Sequence, residues 1–60
     1  MKSRKWVTYE VQKLDDGEWV MFDTAATERV AIVVAAHMLE EHQFTAYRAV
    51  AITHTERVIG

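Results

Sequence analysis

Apolar side chains occupy both faces of every segment that reads as a strand, and nearly encircle the one segment that reads as a helix. Half of the 60 residues are hydrophobic. A single helix laid on a small sheet buries one face of each element, so the remaining apolar surface must stay wet or meet another chain. We expect it to meet another chain.

Length strengthens this expectation. A domain of 60 residues buries only about 60% of the surface its unfolded chain exposes and needs reinforcement from another source. The chain has no cysteine, which rules out disulfides and thiolate-held zinc and leaves oligomerisation as the common remedy. The absence of cysteine also suits a reducing cytoplasm, the expected location. The apolar run from Val30 to Ala36 is far shorter than the roughly 20 residues that span a bilayer, and the first residues lack a signal-peptide pattern, so no membrane partner is expected.

The formal charge is −2 and unevenly placed. Lys2, Arg4 and Lys5 make residues 1–5 a basic stretch, read here as a flexible, solvated leader to a single domain spanning 1–60. The rest of the chain is correspondingly more acidic, which repels phosphate backbones and disfavours nucleic acid as a partner.

Trp6 to Leu14 alternates apolar and polar residues and is rich in β-branched and aromatic types, the pattern of a strand. Asp15-Asp16-Gly17 supplies a turn, and Glu18 to Asp23 reads as the second strand of a hairpin. Two registers are open. A two-residue Asp16-Gly17 loop sets Leu14 opposite Trp19, whereas a three-residue loop sets Lys13 there and flips the second strand. Glu10 and Asp23 are candidates to face one another across the hairpin.

With Asp23 or Thr24 as its cap, a helix is expected from about Ala25 to Gln43. Ala31, Ile32, Val34, Ala35, Met38 and Leu39 fall on one arc, assigned to the sheet. The opposite arc carries Val30, Val33, Ala36 and His37 among its charges, which is unusual for a solvated face. Phe44 to Ile59 reads as a third strand, longer than the second, so part of it has no evident partner within the chain. The expected fold is α+β with ββαβ topology: a three-stranded antiparallel or mixed sheet in order 2-1-3, one helix packed on one face, and a right-handed crossover.

No chemistry emerges from the titratable residues. His37 and Glu41 share a helix face at i, i+4, but a zinc site needs three or four ligands, His42 points elsewhere and His54 belongs to the third strand. The carboxylates of Asp15, Asp16 and Glu18 cluster at a hairpin tip, where they serve the turn. Ser3 lies in the leader, and the threonines are strand or cap residues. We therefore expect no catalytic residue, no metal, no cofactor and no enzymatic activity. Trp6, Trp19 and Tyr47, with Arg48 nearby, could form a base-stacking platform, so a nucleic-acid-binding module is the alternative. The acidic body and the absence of an RNA-binding consensus argue against it.

The favoured reading is a small accessory or inhibitory protein that forms a homodimer and binds a larger protein. Its candidate interface residues are Trp6, Trp19 and Met21 on the hairpin, Val30, Val33 and His37 on the helix, and Tyr47, Ala49 and Ala51 on the third strand. Three arrangements fit: a helix seam through Val30, Val33 and His37, a packed sheet face centred on the tryptophans, or pairing along the third-strand edge.

Overall fold

In the computed structural model, which describes residues 2–60, the chain forms β1 (Ser3–Asp15), β2 (Glu18–Ala25), α1 (Glu28–Glu41) and β3 (Tyr47–Arg57). The strands make one open antiparallel sheet in the order β2-β1-β3, with α1 on one face. This is the α+β architecture that the alternation and the helical stretch imply.

The hairpin settles the register. Asp16 and Gly17 both have positive φ, 51° and 81°. That pair of conformations defines the two-residue type I′ turn whose twist suits a tight hairpin, and Asp and Gly are residues that tolerate it. Leu14 accordingly pairs with Trp19 and Asp15 with Glu18.

Further along, the register shifts: Gln12 pairs with Met21 but Val11 pairs with Asp23, leaving Phe22 as the extra residue of a β-bulge. The bulge sets Glu10 opposite Thr24, so Glu10 and Asp23 do not face each other as expected. Phe22 meets the Tyr47 ring edge-on at 5.4 Å.

The helix begins later than expected. Thr24 and Ala25 remain in β2, paired with Glu10 and Tyr9, and the Asp23 carboxylate accepts the Thr24 amide. Thr27 caps the helix instead: its backbone is extended, and its Oγ1 accepts the Val30 amide at 3.2 Å. At the other end the His42 amide bonds to the Met38 carbonyl and Gln43 falls in the following turn.

β1 is the long central strand. All of β3 pairs with it, from Tyr47 opposite Lys13 to Arg57 opposite Ser3, so the length of β3 is matched by β1 rather than left over. Ser3, Arg4 and Lys5, expected as part of a loose leader, are therefore strand residues, and Arg4 is ion-paired to Glu56 at 3.1 Å. Met1, also assigned to the leader, lies outside the described residues. β2 reaches only as far as Tyr9 on β1, so Ser3–Thr8 and the facing half of β3 continue as a two-stranded ribbon.

The core lies at the three-stranded end and is very small. Among the described residues only Val11, Ala31 and Ala35 are buried hydrophobics, with Tyr9, Ala25, Val34, Tyr47 and Ala49 packed partly against them. Val34 and Met38 are half-buried, as expected of the inner arc. Ile32 and Leu39, assigned to the same arc, are exposed.

The molecule is a slab of 49 × 25 × 10 Å with a Cα radius of gyration of 14.6 Å, where a compact 60-residue domain has about 10 Å. Its accessible surface is 4964 Å², against about 4,000 Å² for a compact monomer of its mass.

Candidate functional site: the open sheet face and the β3 edge

Cross-strand pairs in a sheet share a face, so the register divides the side chains cleanly. Tyr9, Val11, Tyr47 and Ala49 lie on the helix side, where they meet the core. Trp6, Thr8, Glu10, Gln12, Leu14 and Trp19 share the opposite face with Met21, Arg48, Val50, Ile52 and His54, and no element of the described chain covers it.

Two aromatic stations anchor this open face. At the ribbon end His54 stacks on Trp6 with centroids 5.0 Å apart and planes 11° from parallel, and its Nε2 lies 2.8 Å from the Thr8 hydroxyl. The Arg4 guanidinium stands 4.7 Å from the Trp6 ring centre. At the hairpin end Arg48 lies 4.2 Å over Trp19 and donates from Nε to the Gln12 side-chain Oε1 at 2.8 Å, while Gln12 Nε2 donates to Glu10 Oε1. Each tryptophan thus packs against an arginine of its own chain, a contact that favours a fixed, partly desolvated ring.

Of the interface residues expected from sequence, Trp6, Trp19 and Met21 share the open face, Trp19 and Met21 toward the hairpin end and Trp6 toward the ribbon end. Tyr47 and Ala49 belong to the helix side, half-buried against the core, and Ala51 lies on that side near the outer edge of the sheet. The residues of β3 that do join the tryptophans are Val50, Ile52 and His54. The alternation of β3 carried that signal, but choosing between its two faces required knowing which one the helix covers.

On the helix, Val33 is 60% exposed and lies across the helix axis from Ala31 and Ala35, with Val30 and His37 on the same outer arc. His37 Nε2 and Glu41 Oε1 are 3.7 Å apart on the exposed surface. No group of three or more metal-ligating side chains occurs among the described residues.

The outer edge of β3 is the other notable feature. A shallow groove of about 100 Å³ runs between it and the first turns of α1, lined by Glu28, Ala31, Ile32, Ala49, Val50 and Ala51 together with Tyr9. Ile32 therefore overhangs the edge rather than the middle of the sheet, which explains its exposure.

Among the described residues no helix is long and apolar enough to cross a membrane. The sequence matches no family model, no curated protein and no solved structure.

Proposed function

We propose that the protein is a non-enzymatic binding protein that acts as a homodimer and engages a larger protein, in an accessory or inhibitory role, through apolar surface on its sheet and helix. One observation carries this reading: among the described residues three buried hydrophobics support a chain whose exposed surface exceeds that of a compact monomer by about 1,000 Å². A standard interface removes about 800 Å² from each partner, so the excess is of the size a stable contact requires. The open face adds the composition of a binding surface, with aromatic anchors among polar and arginine side chains. With no cysteine to oxidise, the proposed location is the cytoplasm.

Light scattering coupled to size exclusion tests the first half. Two subunits at micromolar concentration are expected, and a stable monomer overturns the proposal. The second half is tested by using wild type and Trp19→Ser as paired baits in the native cell extract. A protein retained by wild type and lost from Trp19→Ser is expected, and equal retention by both overturns the role of the open face. Binding of single-stranded oligonucleotides that weakens steeply with added salt would favour the nucleic-acid alternative instead.

A further inference from the structure

We infer that the dimer forms by antiparallel pairing of β3 with β3 of a second copy, about a two-fold axis at Ile52, giving a continuous six-stranded sheet. This rests on the homodimer proposed above and specifies its contact.

Backbone parity supplies the first support. The Val58 amide bonds to the Lys2 carbonyl and the Leu14 amide to the Ala46 carbonyl, so even-numbered residues of this segment turn their peptide groups toward β1. In an antiparallel ladder the alternate residues point the other way. Tyr47, Ala49, Ala51, Thr53, Thr55 and Arg57 therefore present their amides and carbonyls to the open edge. A two-fold at Ile52 pairs odd residues only with odd ones, Ala51 with Thr53 and Ala49 with Thr55 of the second copy, so every outward donor meets an outward acceptor. It is also the register that matches β3 over its whole length.

Charge supplies the second. Arg48 and Glu56 are near the two ends of β3, and Ala49 to Thr55 carries no lysine, arginine or carboxylate between them. The axis at Ile52 sets Arg48 opposite Glu56 of the second copy, twice per dimer, whereas moving it by one residue in either direction leaves both charges without an opposed partner. Arg48, folded inward over Trp19 in a single copy, has its terminal nitrogens free of protein hydrogen bonds among the described residues and can extend to that carboxylate.

Covered surface supplies the third. The same axis lays the two-stranded ribbon of each copy beside the helix-covered half of the other. It also brings Val58 and Ile59 alongside Phe44 of the second copy. Phe44 and Ile59, at 102% and 77%, are the most exposed large apolar residues described. Because the first turns of α1 lie beside Ala49–Ala51 and its C-terminal end lies beside Tyr47, the axis brings the N-terminal turns of the two helices toward each other, while the rest of each helix runs beside the ribbon of the other copy. Ile32 would lie near the axis, Leu39 would lie toward the ribbon of the second copy, and the tryptophan face would remain open to a further partner.

A single-cysteine scan tests this, since the chain has no cysteine of its own. Ile52→Cys is expected to cross-link to itself almost completely under mild oxidation. The Cα atoms of such a non-hydrogen-bonded pair lie about 4.5 Å apart, within disulfide reach. Val50→Cys and His54→Cys should stay uncoupled alone and form a covalent heterodimer when mixed, with circular dichroism confirming that each variant folds. Self-linking of Ala51→Cys or Thr53→Cys in place of Ile52→Cys overturns the register. If wild type is a dimer and none of the cysteine variants cross-links, edge pairing is overturned while the homodimer stands, and a wild-type monomer overturns both.

Discussion

The two outer edges of this sheet are built on different terms. β2 has eight residues, Glu18 and Asp23 among them, and the bulge at Phe22 interrupts the run of outward peptide groups. β3 is 11 residues long, shows no register shift against β1 and is uncharged through its middle. Charges and bulges are the usual means by which a sheet refuses a neighbour, and a long regular strand without them is a template for pairing. One edge is closed to addition by its own side chains, and the other is left to receive a strand.

A proline on each edge tests that contrast most severely. Thr53 presents its amide outward, so Thr53→Pro spares the bonds to β1 while removing one interchain donor from each copy. Two lost hydrogen bonds at about 1 kcal/mol each weaken the dimer about thirtyfold, and the ring's bulk adds to this. On β2 the pair Asp15–Glu18 closes the two-residue loop, which turns the Met21 amide outward as well. Met21→Pro should therefore change dimer affinity less than about twofold. Sedimentation or light scattering over a dilution series reads both, and equal effects would erase the distinction between the edges.

The charged ends of β3 sharpen the comparison at a lower level. Arg48→Glu sets like charges opposite one another at two symmetric places and should weaken the dimer about tenfold at low salt. Combining it with Glu56→Arg restores opposite signs and should recover most of the affinity, although Arg4 then lies beside another arginine. Since the double variant does not rebuild the Arg48–Trp19 or Arg4–Glu56 contacts within a chain, recovery reports the contact between copies. Additive losses would mean that these charges act only inside the subunit.

How much of this was legible beforehand differs between backbone and surface. Asp16-Gly17 announces a type I′ turn, and the alternation of Trp6–Leu14 and of Tyr47–Thr55 announces two-faced strands, because turn geometry and pleat are local properties. The bulge at Phe22 was not legible, since it answers a mismatch between β2 and β1 that no single strand records. The helix start was misplaced at Asp23 or Thr24, and Thr27 caps it instead because β2 keeps Thr24 and Ala25 in the ladder. On β3 both alternating sets looked apolar, so Tyr47, Ala49 and Ala51 could be exchanged for Val50, Ile52 and His54 until the helix was placed. The pairing of Arg4 with Glu56 draws the first residues into the sheet, a long-range fact that a basic composition reads as solvation.

The smallest expected effect is also the one that separates the two possible helix seams. Val33 sits on the outer arc of α1, away from both Ala31 and the groove beneath Ile32. In an edge-paired dimer Ile32, beside Ala49–Ala51, lies near the two-fold axis, and Val33 looks outward. Val33→Glu then adds a carboxylate one turn after Arg29 and one turn before His37, a spacing that a helix accommodates. Stability should stay within about 0.5 kcal/mol of wild type, and dimer affinity within about twofold by light scattering. Ile32→Glu, one residue away on the chain, places the same charge at the seam and should cost much more. If Val33→Glu splits the dimer while Ile32→Glu spares it, the contact runs along the outer arc of the helix, and the regular edge of β3 is not what holds two copies together.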